Sequence, residues 1–492
     1  MKNYDIITVP NPKLLEVTDK VTSFDNEIDT QIKKMVKVLR EEGGIGLAAN
    51  QLGYKNRVIT IEFDETDKNN KVKERIPLTI FINPQIVEHS LEEECFEEGC
   101  LSVPKIELEI SRPAKLKVKY QDEQGRKFKI APKGLLARIL QHEIDHLNGI
   151  IFTERAKTQF FQKFPEFKNF KIAFFGSGEL GAIILEGLIL LGLNLDIYTE
   201  KAKPAGRDRK TKPTAVAQVA KKFGKKYVGI NHSRSEPNAL ESNLHRPSRT
   251  VKGEVEHVGC DFLTGEIDSR YLLTGIGERQ YDLIICADFG QKIPKSILKR
   301  AKITAFNIHP SLLPKYIGPT PIQTAILNGD KTTGVSIIKM TDKIDEGPVY
   351  TQSEIDISET DNYLVLRDRL ATLGLKVLVE ILPKIVKNEI VLVDQDLSKK
   401  IVTKKISKAD GKINWQKSPK KISNQIRAFS PWPGSYTFID EKRLIIHEAH
   451  LKNSKLVLDL VQLEGKKPMK FSEFLRGLHG PKPEWLSKIL LT

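Results

Sequence analysis

Gln141-His142-Glu143-Ile144-Asp145-His146-Leu147-Asn148 carries the pattern H-E-x-x-H. On an α-helix, residues four apart share a face, so His142 and His146 can grip one metal ion. Glu143 stands beside them, placed to take a proton from a water activated by that ion. Two histidines leave a catalytic metal one protein ligand short. The candidate for the missing ligand lies upstream, in Glu98-Gly99-Cys100-Leu101-Ser102. The competing reading, a surface helix that carries the motif by chance, is weighed against two further segments below.

A chain of 492 residues is too long for one core, and two to four domains are expected. The region following Met1 has no basic-then-apolar leader, and the apolar stretch Leu180–Leu195 is broken by Glu186 and several glycines. Four cysteines make no disulfide framework in so long a chain, which points to a reducing, cytoplasmic setting without a membrane anchor. Charge is unevenly placed. Residues 1–165 hold 26 Lys and Arg against 26 Asp and Glu, so the whole net charge of +15 belongs to the remainder. An excess confined to one part suggests that this part meets a polyanion.

The apolar pattern of Ile28–Leu39 predicts an amphipathic helix stopped at Gly43-Gly44. Gly44-Ile45-Gly46-Leu47-Ala48-Ala49-Asn50-Gln51 follows, a stretch of small residues that lets backbone approach a ligand, with Gln51 as an amide donor. Strands are expected at Arg57–Phe63, Leu78–Ile82 and Leu116–Tyr120, the last running into a hairpin turn at Asp122–Gly125. The segments GIGLAANQ, EGCLS and QHEIDHLNG, in this order, resemble peptide deformylase over roughly residues 1–160. The resemblance implies Cys100, His142 and His146 as metal ligands and Glu143 as general base. Gln51 and the backbone N–H of Leu101 would face the developing oxyanion. Iron(II) is the implied ion, with zinc or nickel as alternatives. Cys95 has no comparable motif around it and reads as a half-buried packing residue.

Phe160–Lys168 reads as a joint. Beyond it, a strand at Lys171–Phe175 leads into Gly176-Ser177-Gly178-Glu179-Leu180-Gly181, and Glu200 follows a second strand, Leu195–Thr199. Taken literally this is a dinucleotide fingerprint, but any tight strand-to-helix turn of a doubly wound domain looks similar. Strands Tyr281–Ala287 and Ala301–Ile308 come next, the latter ending in Asn307-Ile308-His309-Pro310-Ser311-Leu312-Leu313-Pro314. Asn307 and His309, two apart at the carboxyl end of a strand, point to one side of a sheet where open α/β folds bind ligands. With Gly318-Pro319-Thr320-Pro321-Ile322-Gln323 and Asp342-Lys343-Ile344-Asp345-Glu346-Gly347, this set resembles the folate-dependent formyltransferases. The resemblance implies catalytic Asn307, His309 and Asp345, with Ser311, Leu312, Leu313 and Pro314 at 10-formyltetrahydrofolate. Asp288-Phe289-Gly290 looks like the kinase D-F-G, but no H-R-D loop accompanies it and that reading is dropped.

The basic loop Lys201–Lys210 resembles the one that methionyl-tRNA formyltransferases insert at the tRNA acceptor stem, which implies tRNA contacts for Lys203, Arg207 and Lys210. Residues 231–275 match no part of that pattern and read as an insertion. After a linker at Val391–Lys400, the lysines from Lys404 and Lys405 to Lys421 surround KKISKADGKINW and IRAFSPWPGSYT. These segments resemble the carboxy-terminal domain of the same family, an OB-like barrel that grips tRNA. The sequence therefore predicts a multidomain chain. An α+β deformylase-like domain spans 1–160, an α/β Rossmann-like formyltransferase domain spans 169–390, and a small OB-like β-barrel spans 400–492. The expected substrates are initiator methionyl-tRNA and nascent formyl-methionyl peptides at the ribosome. A transferase acting on a sugar or nucleotide amine, and a non-catalytic RNA-binding protein, are the rival readings.

Overall fold

The computed structural model describes residues 6–66, 72–205, 210–230, 279–478 and 483–489. Arg207 and the expected insertion at 231–275 lie outside them. The chain divides into two compact units, residues 1–169 with 187–193, and residues 170–186 with 194–492.

In the first unit, helix α1 (Asn26–Glu42) begins at Asp25, whose carboxylate accepts the N–H groups of Glu27 and Ile28. It ends at Gly43, held at φ +69°, a left-handed geometry that glycine adopts without cost. The apolar stripe of α1, including Met35, Val38 and Leu39, packs on β1 (Gly46–Ala48), β2 (Val58–Thr66) and β3 (Val72–His89). A hairpin of β4 (Glu93–Cys100) and β5 (Val103–Pro113) stands apart as its own two-stranded sheet. Strands β6 (Leu116–Gln121) and β7 (Lys127–Ile130) complete the antiparallel sheet in the order β1-β2-β3-β6-β7. Helix α2 (Gly134–Leu147), which carries H-E-x-x-H, lays Ala137, Leu140 and Ile144 against that sheet. Helix α3 (Phe152–Lys163) follows, so the first four residues of the expected joint, Phe160–Lys168, are the end of a helix, with Phe160 packed against Phe161, Phe164 and Phe167.

The second unit is built on a seven-stranded sheet. Its elements are β8 (Ile172–Phe175), α4 (Glu179–Leu190), β9 (Leu195–Glu200), the hairpin β10 (Lys203–Ala205) and β11 (Lys210–Lys212), α5 (Ala215–Lys222) and β12 (Tyr227–Ile230). Then come β13 (Tyr281–Ala287), α6 (Lys295–Leu298), β14 (Ala301–His309), α7 (Pro321–Asn328), β15 (Thr332–Lys339), β16 (Val349–Asp356) and α8 (Tyr363–Val386). The order β12-β9-β8-β13-β14-β15-β16 is parallel as far as β14 and antiparallel for β15 and β16. Between β8 and β13 the strands stay parallel but the order of winding switches sides, and such a switch point opens a crevice beyond the carboxyl ends of the strands. All four residues of β8 are buried, as expected for a strand covered on both faces.

The third expected domain packs within this unit. Helix α9 (Pro419–Phe429) covers a four-stranded antiparallel sheet of β17 (Ser435–Ile439), β18 (Lys442–Lys452), β19 (Lys455–Leu463) and β20 (Met469–Lys470), followed by α10 (Phe471–Arg476). Ile422 and Ile426 of α9 join Leu444, Leu458 and Val461 in one core. Arg427 of α9 donates to the backbone oxygens of Ser358 and Asp361, which fixes this small domain to the start of α8. Among the described residues no helix is long and apolar enough to cross a membrane.

Candidate active sites

The first site forms where α2 faces β1 and the β4–β5 hairpin. Ligand atoms of Cys100, His142 and His146 lie within 4.8 Å of one another, and the Cys100 Sγ sits 3.1 Å from His146 Nε2. Gln51 is fully fixed: its Oε1 accepts from Ala48 N at 2.8 Å, and its Nε2 donates to Ser102 Oγ at 3.1 Å and faces Cys100 Sγ at 3.5 Å. Leu101 lines the same cavity, of about 890 Å³, with Gly46, Gln51, His142 and Glu143. Glu143 is 4 % exposed, and its Oε2 and the Nδ1 of His146 are buried without a hydrogen-bond partner among the described residues.

Electrostatics agree with a cation at this point. Burial pushes the Cys100 thiol up, but His146 and His142 outweigh it and hold it well below the ordinary thiol range. Burial raises the Glu143 carboxyl, which suits a group that must pick up and return a proton. A thiolate, two imidazoles and an adjacent orphaned carboxylate fit a divalent transition metal with an open position.

Sequence reasoning missed the shell behind these ligands. His142 Nδ1 lies 2.9 Å from Glu98 Oε2, which leaves its other nitrogen for the cage. Glu98 in turn accepts two bonds from Arg112, at 2.6 and 2.8 Å, and one from Arg138 at 3.0 Å. Burial alone would raise the Glu98 carboxyl; His142 and Arg112 overcome that and keep it far below the usual range. Arg112 also reaches Asp145 at 2.6 Å, and Asp145 takes the Arg155 guanidinium on its far side. Glu98 sits in EGCLS and Asp145 inside H-E-x-x-H, so two of these residues lay within the motifs; Arg112 carried no local signal.

The second site lies beyond the carboxyl ends of β13 and β14, in a cavity of about 480 Å³ that Asn307, His309, Asp345 and Lys405 help to line. Asn307 Nδ2 donates to Asp345 Oδ1 at 3.2 Å, and the amide of Gly318 donates to Asp345 Oδ2 at 3.1 Å. Asp345 adopts φ +56°, an uncommon left-handed geometry that aims its carboxylate at both partners. His309 is buried, with Nε2 3.0 Å from Tyr316 O and Nδ1 3.6 Å from Asp345 Oδ2. Both ring nitrogens thus face oxygen atoms, one of the backbone and one of a carboxylate.

Ser311, Leu312, Leu313 and Pro314 are not among the residues lining this cavity; Pro310 is. Ser311 is buried and donates to Lys315 O, and Leu313 N donates to Ser336 Oγ, so the turn is fixed into the framework around Ile338. The lining instead includes Asp288, Phe289 and Gly290, the stretch dismissed as a kinase-like coincidence, and Arg367 of α8. Lys405, expected on tRNA, reaches the cavity; Lys404 is exposed beside it. Lys203 and Lys210 stand on the β10–β11 hairpin, in register with Lys212 and Ala205.

The dinucleotide reading of Gly176–Gly181 fails on packing. A Cβ at Gly178 would fall 1.9 Å from Asp288 Oδ2, and one at Gly181 would fall 2.4 Å from Ala287 O. The Asp288 carboxylate accepts the amides of Leu180 and Gly181 at the start of α4. A side chain already fills the place where a pyrophosphate would sit.

Comparison with known proteins gives three consecutive matches. The family pattern "Polypeptide deformylase" matches residues 3–161, "Formyl transferase" residues 170–382, and "Formyl transferase, C-terminal domain" residues 405–456. The methionyl-tRNA formyltransferases of Staphylococcus aureus strains MW2 and JH1 are each 31% identical over 332 residues, covering 62% of this chain and 96% of the relative. The crystal structure of a peptide deformylase from Ehrlichia chaffeensis is 36% identical, covering 31% of this chain and 86% of that one, with a TM-score of 0.28. A peptide deformylase from Legionella pneumophila is 38% identical, covering 30% of this chain and 83% of that one, with a TM-score of 0.27. The chain therefore belongs to the polypeptide deformylases over its first third and to the methionyl-tRNA formyltransferases over the remainder.

Proposed function

We propose that this chain is a bifunctional enzyme of translation initiation, which formylates methionyl-tRNA and removes formyl groups from nascent formyl-methionyl peptides. The observation that carries the reading is that each unit assembles its own complete set of reacting groups, Cys100/His142/His146/Glu143 in one and Asn307/His309/Asp345 in the other.

For the hydrolase, Cys100, His142 and His146 would hold a divalent ion, with iron(II) proposed ahead of zinc or nickel. When bound, such an ion supplies Lewis-acid activation of water at neutral pH. Glu143 takes the proton of the attacking water at its unpaired Oε2 and returns it to the departing α-amine, so that formamide and water become formate and amine. The rigid Gln51 Nε2 and the N–H of Leu101 meet the tetrahedral oxyanion without reorganisation. Glu98 holds the His142 ring in one tautomer.

For the transferase, the methionyl amine attacks the formyl carbon of 10-formyltetrahydrofolate. Asn307 and His309 stabilise the oxyanion, and Asp345 orients Asn307 and faces the imidazole. The C–N10 bond breaks, and the proton lost by the amine ends on N10. The SLLP turn, Ser311–Pro314, supports the folate side by holding Pro310 in the wall. Arg207, Lys203, Lys210, Lys404 and Lys405 are assigned to tRNA phosphates, and a cytoplasmic location and a ribosomal setting go with this reading. The test is an anaerobically purified full chain, loaded with iron, assayed for hydrolysis of formyl-Met-Ala-Ser. In parallel, transfer of labelled formyl from folate is offered tRNA-Met or a panel of amino sugars. Activity in the first assay and transfer to tRNA alone are expected; transfer to a sugar amine, or none to either, overturns the reading.

A further inference from the structure

The linker that leads from the transferase sheet to the small domain is bonded to the loops that carry the reacting groups. At its start Val393 pairs with Val349 of β16, and the two exchange backbone hydrogen bonds at 2.8 and 3.0 Å. Two residues on, Gln395 Nε2 donates to Asp345 O at 2.8 Å and to Gly347 O at 2.7 Å. One amide nitrogen thus commits both hydrogens to the backbone of the loop that holds Asp345. The reverse orientation would set Oε1 against two carbonyl oxygens, so the partners fix which end of the amide faces them. Gln395 Oε1 is left buried with no hydrogen-bond partner among the described residues, a cost that an amide free to turn would avoid.

The same linker reaches Asp345 by a second route. Thr403 N donates to Ile317 O at 2.8 Å, while its Oγ1 donates to Ile317 O at 3.0 Å and accepts from Thr320 N at 3.2 Å. Ile317 N donates in turn to Ile401 O at 2.8 Å, so Gly318 lies in a segment held on both flanks. The amide of Gly318 is the one that donates to Asp345 Oδ2, and a Cβ on this glycine would stand 3.0 Å from Thr403 Oγ1. Asp345 itself sits at φ +56°, a geometry that a residue other than glycine keeps only where its surroundings impose it. We propose that Gln395 and Thr403 are positioning residues of the formyl transfer, which hold Asp345 through its own backbone and through the Gly318 amide, and so set its carboxylate against Asn307 and His309. The proposal rests on the reading of Asn307, His309 and Asp345 as the reacting set of a transferase.

Neither residue is among those lining the cavity, so each acts through Asp345 and not by touching a substrate. Joining two domains asks a linker only for reach, which does not account for two donors set on the backbone of one loop. That loop is also confined on its other flank, since a Cβ at Gly347 would fall 1.8 Å from Lys339 O. The Asp345 carboxylate is shared between Asn307 Nδ2, the Gly318 amide and, at 3.6 Å, His309 Nδ1. A displacement of about 1 Å would break that sharing, and misplacement on this scale costs a reaction up to about a hundredfold.

The test measures formyl transfer to tRNA-Met by the full chain and by Gln395→Ala, the isosteric Gln395→Glu and Thr403→Val. Loss of the Gln395 donors should lower kcat roughly tenfold to a hundredfold, with the KM values for folate and tRNA within about twofold of wild type. Gln395→Glu keeps the volume and removes the donors, so it should lose as much as the alanine variant; Thr403→Val should lower kcat roughly tenfold. A double-mutant cycle separates positioning from packing: in an Asp345→Ala background, Gln395→Ala should change the residual rate by less than about twofold. Thermal unfolding and tRNA affinity close to wild type report intact folding, and if Gln395→Ala does not fold, Gln395→Glu and Thr403→Val decide by the same criteria. Full activity in Gln395→Glu, a raised KM in place of a lowered kcat, or penalties that multiply in the cycle overturn the assignment. No transfer by the wild type removes the transferase reading and this assignment together; wild-type transfer that both Gln395 variants leave untouched removes the assignment alone.

Discussion

A methyl group added at Gly46 would lie 2.5 Å from Glu143 Oε1, so this glycine is required by the base it touches. Gly46→Ala is expected to displace the carboxylate and lower formyl-peptide hydrolysis about a hundredfold, with little change in KM, as steady-state kinetics would show. Glu143→Gln should remove the proton carrier and cost roughly a thousandfold, while formyl transfer stays at the wild-type rate. Glu98→Gln acts one step back. It loosens the His142 ring and leaves Arg112 under-compensated in a buried setting, so metal affinity measured by chelator competition should drop roughly tenfold to a hundredfold. Most of the groups proposed to do the chemistry were legible in the chain because each sits in a short motif with fixed spacing. Arg112 was not, because a residue that works only through Glu98 and Asp145 is brought to them by strand pairing, which no local pattern reveals. The SLLP turn is visible as a motif, but its internal bonds, from Ser311 to Lys315 O and from Leu313 to Ser336, are not.

At the level of elements, the end of α1 at Gly43 was read from the glycine stop, whereas its start at Asn26, behind the Asp25 cap, precedes the apolar pattern of Ile28–Leu39 from which the helix was read. The β4–β5 hairpin could not be read, because nothing local to Glu98, beyond its place in EGCLS, shows that it is buried against Arg112. The start of α4 was legible as a glycine turn but not in its occupant. Asp288, brought there by the neighbouring strand β13, has its carboxyl raised by burial despite the Leu180 and Gly181 amides. The unfolded chain therefore releases this proton at lower pH than the folded one, and stability falls as pH climbs from the ordinary carboxylate range through the raised folded value. Asp288→Asn should lack this fall, so its stability relative to wild type improves with rising pH over that window. Urea unfolding of the full chain at a series of pH values measures it; a constant difference would show that Asp288 does not titrate on unfolding.

For the molecule as a whole, two reaction centres held in separate units should fail independently. Removing metal with a chelator is expected to abolish hydrolysis and spare transfer, and His309→Ala to do the reverse, each checked by running both assays on one preparation. Charge gives a second contrast. Since residues 1–165 are balanced and the remainder carries the whole +15, the KM for tRNA should climb steeply with salt while that for a neutral formyl-tripeptide holds nearly steady. The three-part order was readable because each part announced itself by motif, whereas the way the small domain is tied down, through Arg427 to the chain entering α8, depends on long-range contacts that spacing does not encode.

Asp288 has one more implication. A strand-to-helix turn of this shape is ordinarily a landing place for free nucleotides, which are plentiful wherever proteins are made. Here the Asp288 side chain takes the Leu180 and Gly181 amides that a bound phosphate would need, so the turn has no vacant place for one.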